Sequence, residues 1–165
     1  MVMNSLKKIL GVFLLSAIAS PALGSTQAQL DLFKYDPFLY GKCGNCGDFY
    51  RFKPNKDRAK FTDFSLYLQS GYYSAVLHGS TGTMVTLFGR QNFKTQRGYL
   101  IIVKKDNSVV QVRDLEAFTP GRWVEEKAKE GRSGAFSVFY SPYKYFKNNV
   151  GSVKWGKWWT KLSPG

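Results

Sequence analysis

The densest local chemistry in the chain is Cys43-Gly44-Asn45-Cys46, which holds its two cysteines two residues apart. Three chemistries suit that spacing. Oxidised to each other, the thiols clip a turn-rich loop, with a small entropic gain because the closed ring is short. As a redox pair, a thiolate of lowered pKa would attack a disulfide. That requires the first cysteine at a helix N-terminus in a βαβ unit, and Asp48-Phe49-Tyr50-Arg51 opens no such helix. As half of a tetrahedral metal site, the pair needs two further ligands. The chain has one histidine and no other cysteine, so two copies of it would have to share a four-cysteine site. Export, argued below, favours a structural Cys43–Cys46 disulfide, and no metal or other cofactor is expected.

His78 stands in Leu77-His78-Gly79-Ser80-Thr81-Gly82. A serine nucleophile needs a base, an orienting carboxylate and an oxyanion hole. Gly-Ser-Thr-Gly is not the Gly-x-Ser-x-Gly elbow of a hydrolase, and its turn chemistry is fully explained as a loop between strands. His78 with Asp114 is the pair on which a hydrolase reading rests. The neighbours Asp114/Glu116 and Glu125/Glu126 supply carboxylates for acid–base work. With 11 acids against 24 Lys and Arg, however, they are more simply ion-pair partners, and Asp114 is placed to cap a turn. No phosphate-cradling glycine loop, zinc-type histidine pair or nucleotide fingerprint occurs.

The C-terminal run Lys154-Trp155-Gly156-Lys157-Trp158-Trp159 offers binding chemistry. If residues 152–158 are extended, Val153 and Trp155 share one face and Ser152, Lys154 and Gly156 the other. The tryptophans are then either packing anchors that close the core or an exposed surface. Exposed, their rings would stack on bases, sugars or lipid interfaces while lysines attract nearby anions. The candidate binding surface comprises Tyr143, Lys144, Lys147, Lys154, Trp155, Lys157, Trp158 and Trp159, with Tyr140 and Tyr145 able to extend it.

The chain that must position these groups has 165 residues and a formal charge of +13. It opens with Lys7-Lys8, an apolar run from Ile9 to Ala19, and then Ser20-Pro21-Ala22-Leu23-Gly24. Basic, apolar and small-residue regions in that order form a secretory signal, cut after Gly24 or alternatively after Ala19. The run is short for an uncleaved membrane anchor, and no cysteine follows the cut to take a lipid. Removing residues 1–24 takes away two lysines and no acid, so the exported chain, periplasmic or extracellular, stays strongly basic. No later stretch is apolar enough to form a transmembrane segment. A hydrophobic fraction of 44% and an aromatic fraction of 16% suit a folded domain. The pI near 9.8 directs it towards an anionic polymer, an envelope surface or an acidic protein.

Residues 25–60 read as an irregular, aromatic-rich segment, with 52–60 an exposed loop, and residues 61–165 as a β domain. Val85-Thr86-Leu87-Phe88 is rich in β-formers and follows a Gly-Ser-Thr-Gly turn. Tyr99–Val103 and Val109–Val112, separated by Lys104-Lys105-Asp106-Asn107-Ser108, predict a hairpin. Asp114–Phe118 predicts a single helical turn. Trp123–Lys129 alternates, Glu130–Gly134 turns, and Ala135–Tyr140 returns as a strand. After the signal, no stretch keeps a helical apolar period for three turns. The pattern is all-β, an antiparallel sandwich or Greek-key barrel.

Val85–Lys94 (VTLFGRQNFK) and Val138–Lys147 (VFYSPYKYFK) each end a strand and run into an aromatic–lysine step. Asparagine-containing turns follow at 106–108 and 148–152. In these fragments the chain resembles the Greek-key motifs of βγ-crystallin-like domains, some of them secreted toxins or protease inhibitors. No calcium site is carried across. The expectation is an exported, non-enzymatic binding protein for a polyanionic surface or acidic protein. A small secreted hydrolase and a secreted inhibitor or toxin are the alternatives.

Overall fold

The computed structural model describes residues 27–33, 49–62 and 73–160. Residues 1–24, read from sequence as a secretory signal, and the Cys43/Cys46 pair lie outside these. Among the described residues the strands are β1 (Gln29–Phe33), β2 (Phe49–Phe52), β3 (Ser74–His78), β4 (Met84–Phe88), β5 (Tyr99–Lys104), β6 (Val110–Val112), β7 (Trp123–Glu126), β8 (Phe136–Ser141) and β9 (Ser152–Trp155). They form two antiparallel sheets, ordered β2-β1-β3-β6 and β7-β8-β5-β4-β9. Among the described residues, no helix is long and apolar enough to cross a membrane.

Alternation explains how the sheets meet. In the smaller sheet, register aligns Phe52, Leu30, Leu77 and Val110 in one row. In the larger sheet Val124, Val138, Ile102, Val85 and Trp155 line up likewise. Both rows enter one continuous core, so the sheets pack face to face as a sandwich. Leu30, Val85, Leu100 and Val138 are fully buried in it.

The larger sheet is closed on its outer face as well. The next row there is Trp123, Phe139, Ile101, Thr86 and Lys154. After β9 the chain turns at Gly156 and lays Trp158 and Trp159 over this row. The Trp158 indole donates to Thr86 Oγ1 at 2.8 Å, and its ring meets Phe88 at 5.2 Å and Tyr99 at 5.6 Å. Trp159 meets Trp123 at 5.8 Å and packs with Ile101, Val103 and Phe139. Double-sided burial is why β5 reads YLIIVK, an apolar run without alternation, at the centre of its sheet.

Three sequence expectations change. The 99–112 hairpin does not form: β5 belongs to the larger sheet, while β6 pairs with β3 in the smaller one. The 105–109 connection is an arch between sheets, because its polar side chains are satisfied elsewhere. Asp106 accepts Ala135 N at 2.7 Å, and Asn107 accepts Thr81 N at 2.9 Å. Second, the segment read as irregular supplies β1 and β2, and Leu30, Leu32 and Phe52 enter the common core. Third, Asp114–Phe118 is a tight turn rather than a helical one, with Asp114 Oδ1 capping Glu116 N at 2.9 Å as expected.

Lys104, at the arch, is 1% exposed and donates to the Ser108 carbonyl; burial lowers its pKa from 10.5, against the pull of Asp106. Between the lowered value and 10.5 the folded chain binds fewer protons at this site than the unfolded chain. Stability owed to Lys104 therefore increases as pH rises through that window. Denaturant titrations should show the stability difference between Lys104→Met and wild type moving in favour of wild type as pH approaches 10.5. A difference flat with pH would contradict the assignment. Trp159→Ala should cost roughly 3 kcal/mol in the same measurement, by opening the outer core. A loss within about 0.5 kcal/mol would mean the C-terminal strap is a surface feature.

Candidate functional site

At one end of the sandwich the chain leaves β4 through residues 89–98 and returns through β5. It also leaves β8 through 142–151 and enters β9. Between these two loops lies a cleft of about 550 Å³, lined by Arg90, Gln91, Asn92, Lys94 and Arg97 on one side and Asn148, Asn149, Val150 and Gly151 on the other. Phe61, Tyr73 and Gly89 complete its lining. Among the described residues no acidic side chain lines it.

The cleft walls are fixed by backbone bonds. Gly89 N donates to Gly98 O at 3.0 Å, closing the base of the 89–98 loop, and Asn92 N donates to Ala59 O at 2.6 Å. Gly151 N donates to Phe88 O at 2.7 Å, and Phe61 N to Gly151 O at 2.8 Å. Ser152, fully buried, is the pin between the walls: its hydroxyl donates to Arg90 O at 2.7 Å and accepts from Phe93 N at 3.0 Å. Two glycines permit this closeness. A Cβ on Gly89 would stand 2.0 Å from Arg97 O, and one on Gly151 would stand 2.7 Å from Arg90 C. Asn92 and Phe93 both take left-handed backbone, at φ 58° and 56°. Such conformations persist in non-glycine residues where surrounding bonds over-determine them, as here.

Among the described residues the charge of the cleft is uncompensated. Arg90, Lys94 and Arg97 are exposed and have no acidic partner among the described residues. The acids pair elsewhere: Asp31 with Arg51 at 2.9 Å, Glu125 with Lys105 at 3.7 Å, Glu126 with Lys129 at 3.6 Å. At the rim, Lys154 Nζ binds Asp57 at 2.8 Å and lies 4.7 Å from the Phe93 ring centre, buttressing the loop.

The residues singled out from sequence are dispersed. Tyr143 and Lys144 are exposed on the 142–151 loop beside the cleft, but they do not line it. Lys147 on the same loop is taken up by Asp114 at 3.7 Å and Glu116 at 4.0 Å. Trp155 and Trp159 are 8% and 5% exposed and Trp158 is half-buried, so the tryptophans act as packing anchors and offer no broad stacking face. Lys157 is exposed at the opposite end of the larger sheet, next to Gly156, whose N–H donates to Met84 O. His78 and Asp114 are not brought together. Leu77 pairs with Val110 and Ala75 with Val112, so His78 lies past one end of this ladder and Asp114 past the other. About five residue rises, roughly 17 Å, separate them along the strands. Among the described residues no three of His, Cys, Asp or Glu are grouped to hold a metal ion.

Sequence reading passed over Arg90, Gln91, Asn92, Lys94, Arg97, Asn148 and Asn149. The signal that finds them is the spacing of acids. None occurs between Asp63 and Asp106, and none after Glu130. Each acid-free stretch contributes one wall. The walls also fall in the two stretches that resemble each other, 85–94 and 138–147, and in the residues just after them. Compared with protein-family models, curated proteins and solved structures, the chain matches none.

Ser152→Ala removes no charge but releases Arg90 O and Phe93 N. It should cost about 1–3 kcal/mol in stability and, if the cleft takes anions, weaken that binding with the salt dependence unchanged. Isothermal titration against dextran sulfate checks this. Wild-type affinity in the folded variant would show that the wall geometry does not matter.

Proposed function

We propose that the chain is an exported, non-enzymatic binding protein that engages a polyanion, an anionic polymer or envelope surface, through this basic cleft. One observation carries the reading: Arg90, Lys94 and Arg97 converge on a cleft with no acid in its lining among the described residues. Cations left unpaired in a concave site raise the local concentration of anions and give them a place to lodge, beyond the steering that net charge alone supplies. An acidic protein would meet the same groups and is the second partner class that the charge allows. The hydrolase alternative loses support from the separation of His78 and Asp114. The inhibitor or toxin alternative gains none, since no matching family favours it.

Binding to dextran sulfate should weaken steeply as sodium chloride rises from low to moderate concentration, because the groups are solvent-exposed. The triple variant Arg90→Glu, Lys94→Glu, Arg97→Glu should lose roughly tenfold to a hundredfold in affinity. The same reversals at Lys127, Lys129 and Arg132, on the β7–β8 connection, should cost far less. Equal losses from both triples would reduce the interaction to net charge, and no binding at all would remove the reading.

A further inference from the structure

The cleft carries more than charge. Four carboxamides line it, Gln91, Asn92, Asn148 and Asn149. The side chains of Gln91, Asn92 and Asn148 make no hydrogen bond of their own among the described residues. Asn149 gives its amide nitrogen to Tyr145 O at 2.8 Å, leaving its carbonyl oxygen to accept. Each free carboxamide offers paired donors and an acceptor, so a hydroxyl group can use both halves of it, whereas a bare anion that only accepts uses the donors alone. The guanidinium forks of Arg90 and Arg97 suit sulfate, phosphate or carboxylate oxygens. The cleft aromatics do not supply stacking platforms: Phe61 and Tyr73 are 4% and 1% exposed. Sequence-tolerant binding of single-stranded nucleic acid depends on such exposed rings. At about 550 Å³ the space exceeds what one ion needs and falls in the range of small-molecule sites.

Resting on the polyanion reading above, we infer that the cleft recognises an acidic polysaccharide, a chain of sugar rings carrying oxyanion groups. Arg90, Lys94 and Arg97 hold the oxyanions. Gln91, Asn92, Asn148 and the Asn149 carbonyl bond the neighbouring ring hydroxyls. The rigid Gly89–Gly98 and Gly151–Ser152 framework keeps both sets in place before binding, which lowers the ordering cost on association. Deoxyribose phosphate offers the anions without ring hydroxyls, so the amide carbonyls gain less from a DNA backbone than from a sugar ring.

The test compares dextran sulfate, carboxymethyl dextran, a thymidine deoxyoligonucleotide and a uridine oligoribonucleotide, matched in total charge at one salt concentration. At least one acidic dextran should bind about tenfold or more tighter than either oligonucleotide, and the better of the two identifies ester or carboxylate as the oxyanion. In Gln91→Ala/Asn148→Ala, affinity for that dextran should fall about tenfold, two lost hydrogen bonds' worth, with oligonucleotide binding falling less. In Arg90→Ala/Arg97→Ala, all four should weaken. Oligonucleotides bound as tightly as the dextrans, or amide variants that leave the dextran affinity intact, overturn the polysaccharide assignment while the polyanion reading stands. Should none of the four bind, both readings fall together. Thermal unfolding of each variant confirms that the folded protein was compared; Asn148→Ala alone serves if the double variant does not fold.

Discussion

The structure depends on the five-stranded sheet being buried on both sides. Its inner row, from Val124 through Ile102 to Trp155, is covered by the smaller sheet. Its outer row, from Trp123 through Ile101 to Thr86, is covered by Trp158 and Trp159. A sheet closed on two faces has few places for unpaired cations other than its loops and strand ends. The Trp158 indole bond to Thr86 fixes the C-terminal strap in the one register that seals Phe88 and Tyr99 beneath it. In the same outer core the indole N–H of Trp159 is buried without a partner among the described residues, as is that of the flanking Trp123. The strap is thus held by one indole hydrogen bond and by apolar area, at the expense of some polar satisfaction.

That constraint separates two kinds of basic residue. Arg51, Lys105, Lys129, Lys147 and Lys154 have carboxylates within ion-pair distance and belong to the scaffold. Arg90, Lys94 and Arg97 have none among the described residues and project from a loop pinned by Ser152 and kept close by Gly89 and Gly151. A loop with consecutive left-handed residues, bonded to two neighbouring segments at Ala59 and Ser152, holds its side chains with less freedom than a surface loop of the same composition. Charge and preorganisation coincide at that end of the sandwich, which is what distinguishes a site from a generally basic surface.

Much of the scaffold was legible. Val85–Phe88, Tyr99–Val103 and Ala135–Tyr140 were read as strands because β-branched and aromatic runs bounded by turn residues leave few alternatives. The facing of Val153 and Trp155 against Ser152 and Lys154 followed from strand alternation alone. The hairpin at 99–112 was misread because local turn chemistry, Asp106-Asn107-Ser108, is the same whether the flanking strands pair or part. The side chains of Asp106 and Asn107 bond Ala135 and Thr81, partners 29 and 26 residues away in the chain. β1 and β2 were missed since each is short and acquires its inward face only by pairing across more than a dozen residues.

The sequence by itself determined the all-β class, the strongly cationic balance and the absence of long helices among the described residues, because these follow from composition and from periodicity over a few neighbouring residues. It also contained, in the acid-free stretches on either side of Asp106–Glu130, the charge segregation that the cleft uses. Only the tertiary structure decided that Trp155, Trp158 and Trp159 turn inward, that His78 and Asp114 stand at opposite ends of one strand pair, and that Arg90 and Asn149 share a cleft. Those outcomes depend on which strands become neighbours. Strand pairing is set by the fit of whole apolar rows across the sandwich, a collective quantity that no local window of residues contains.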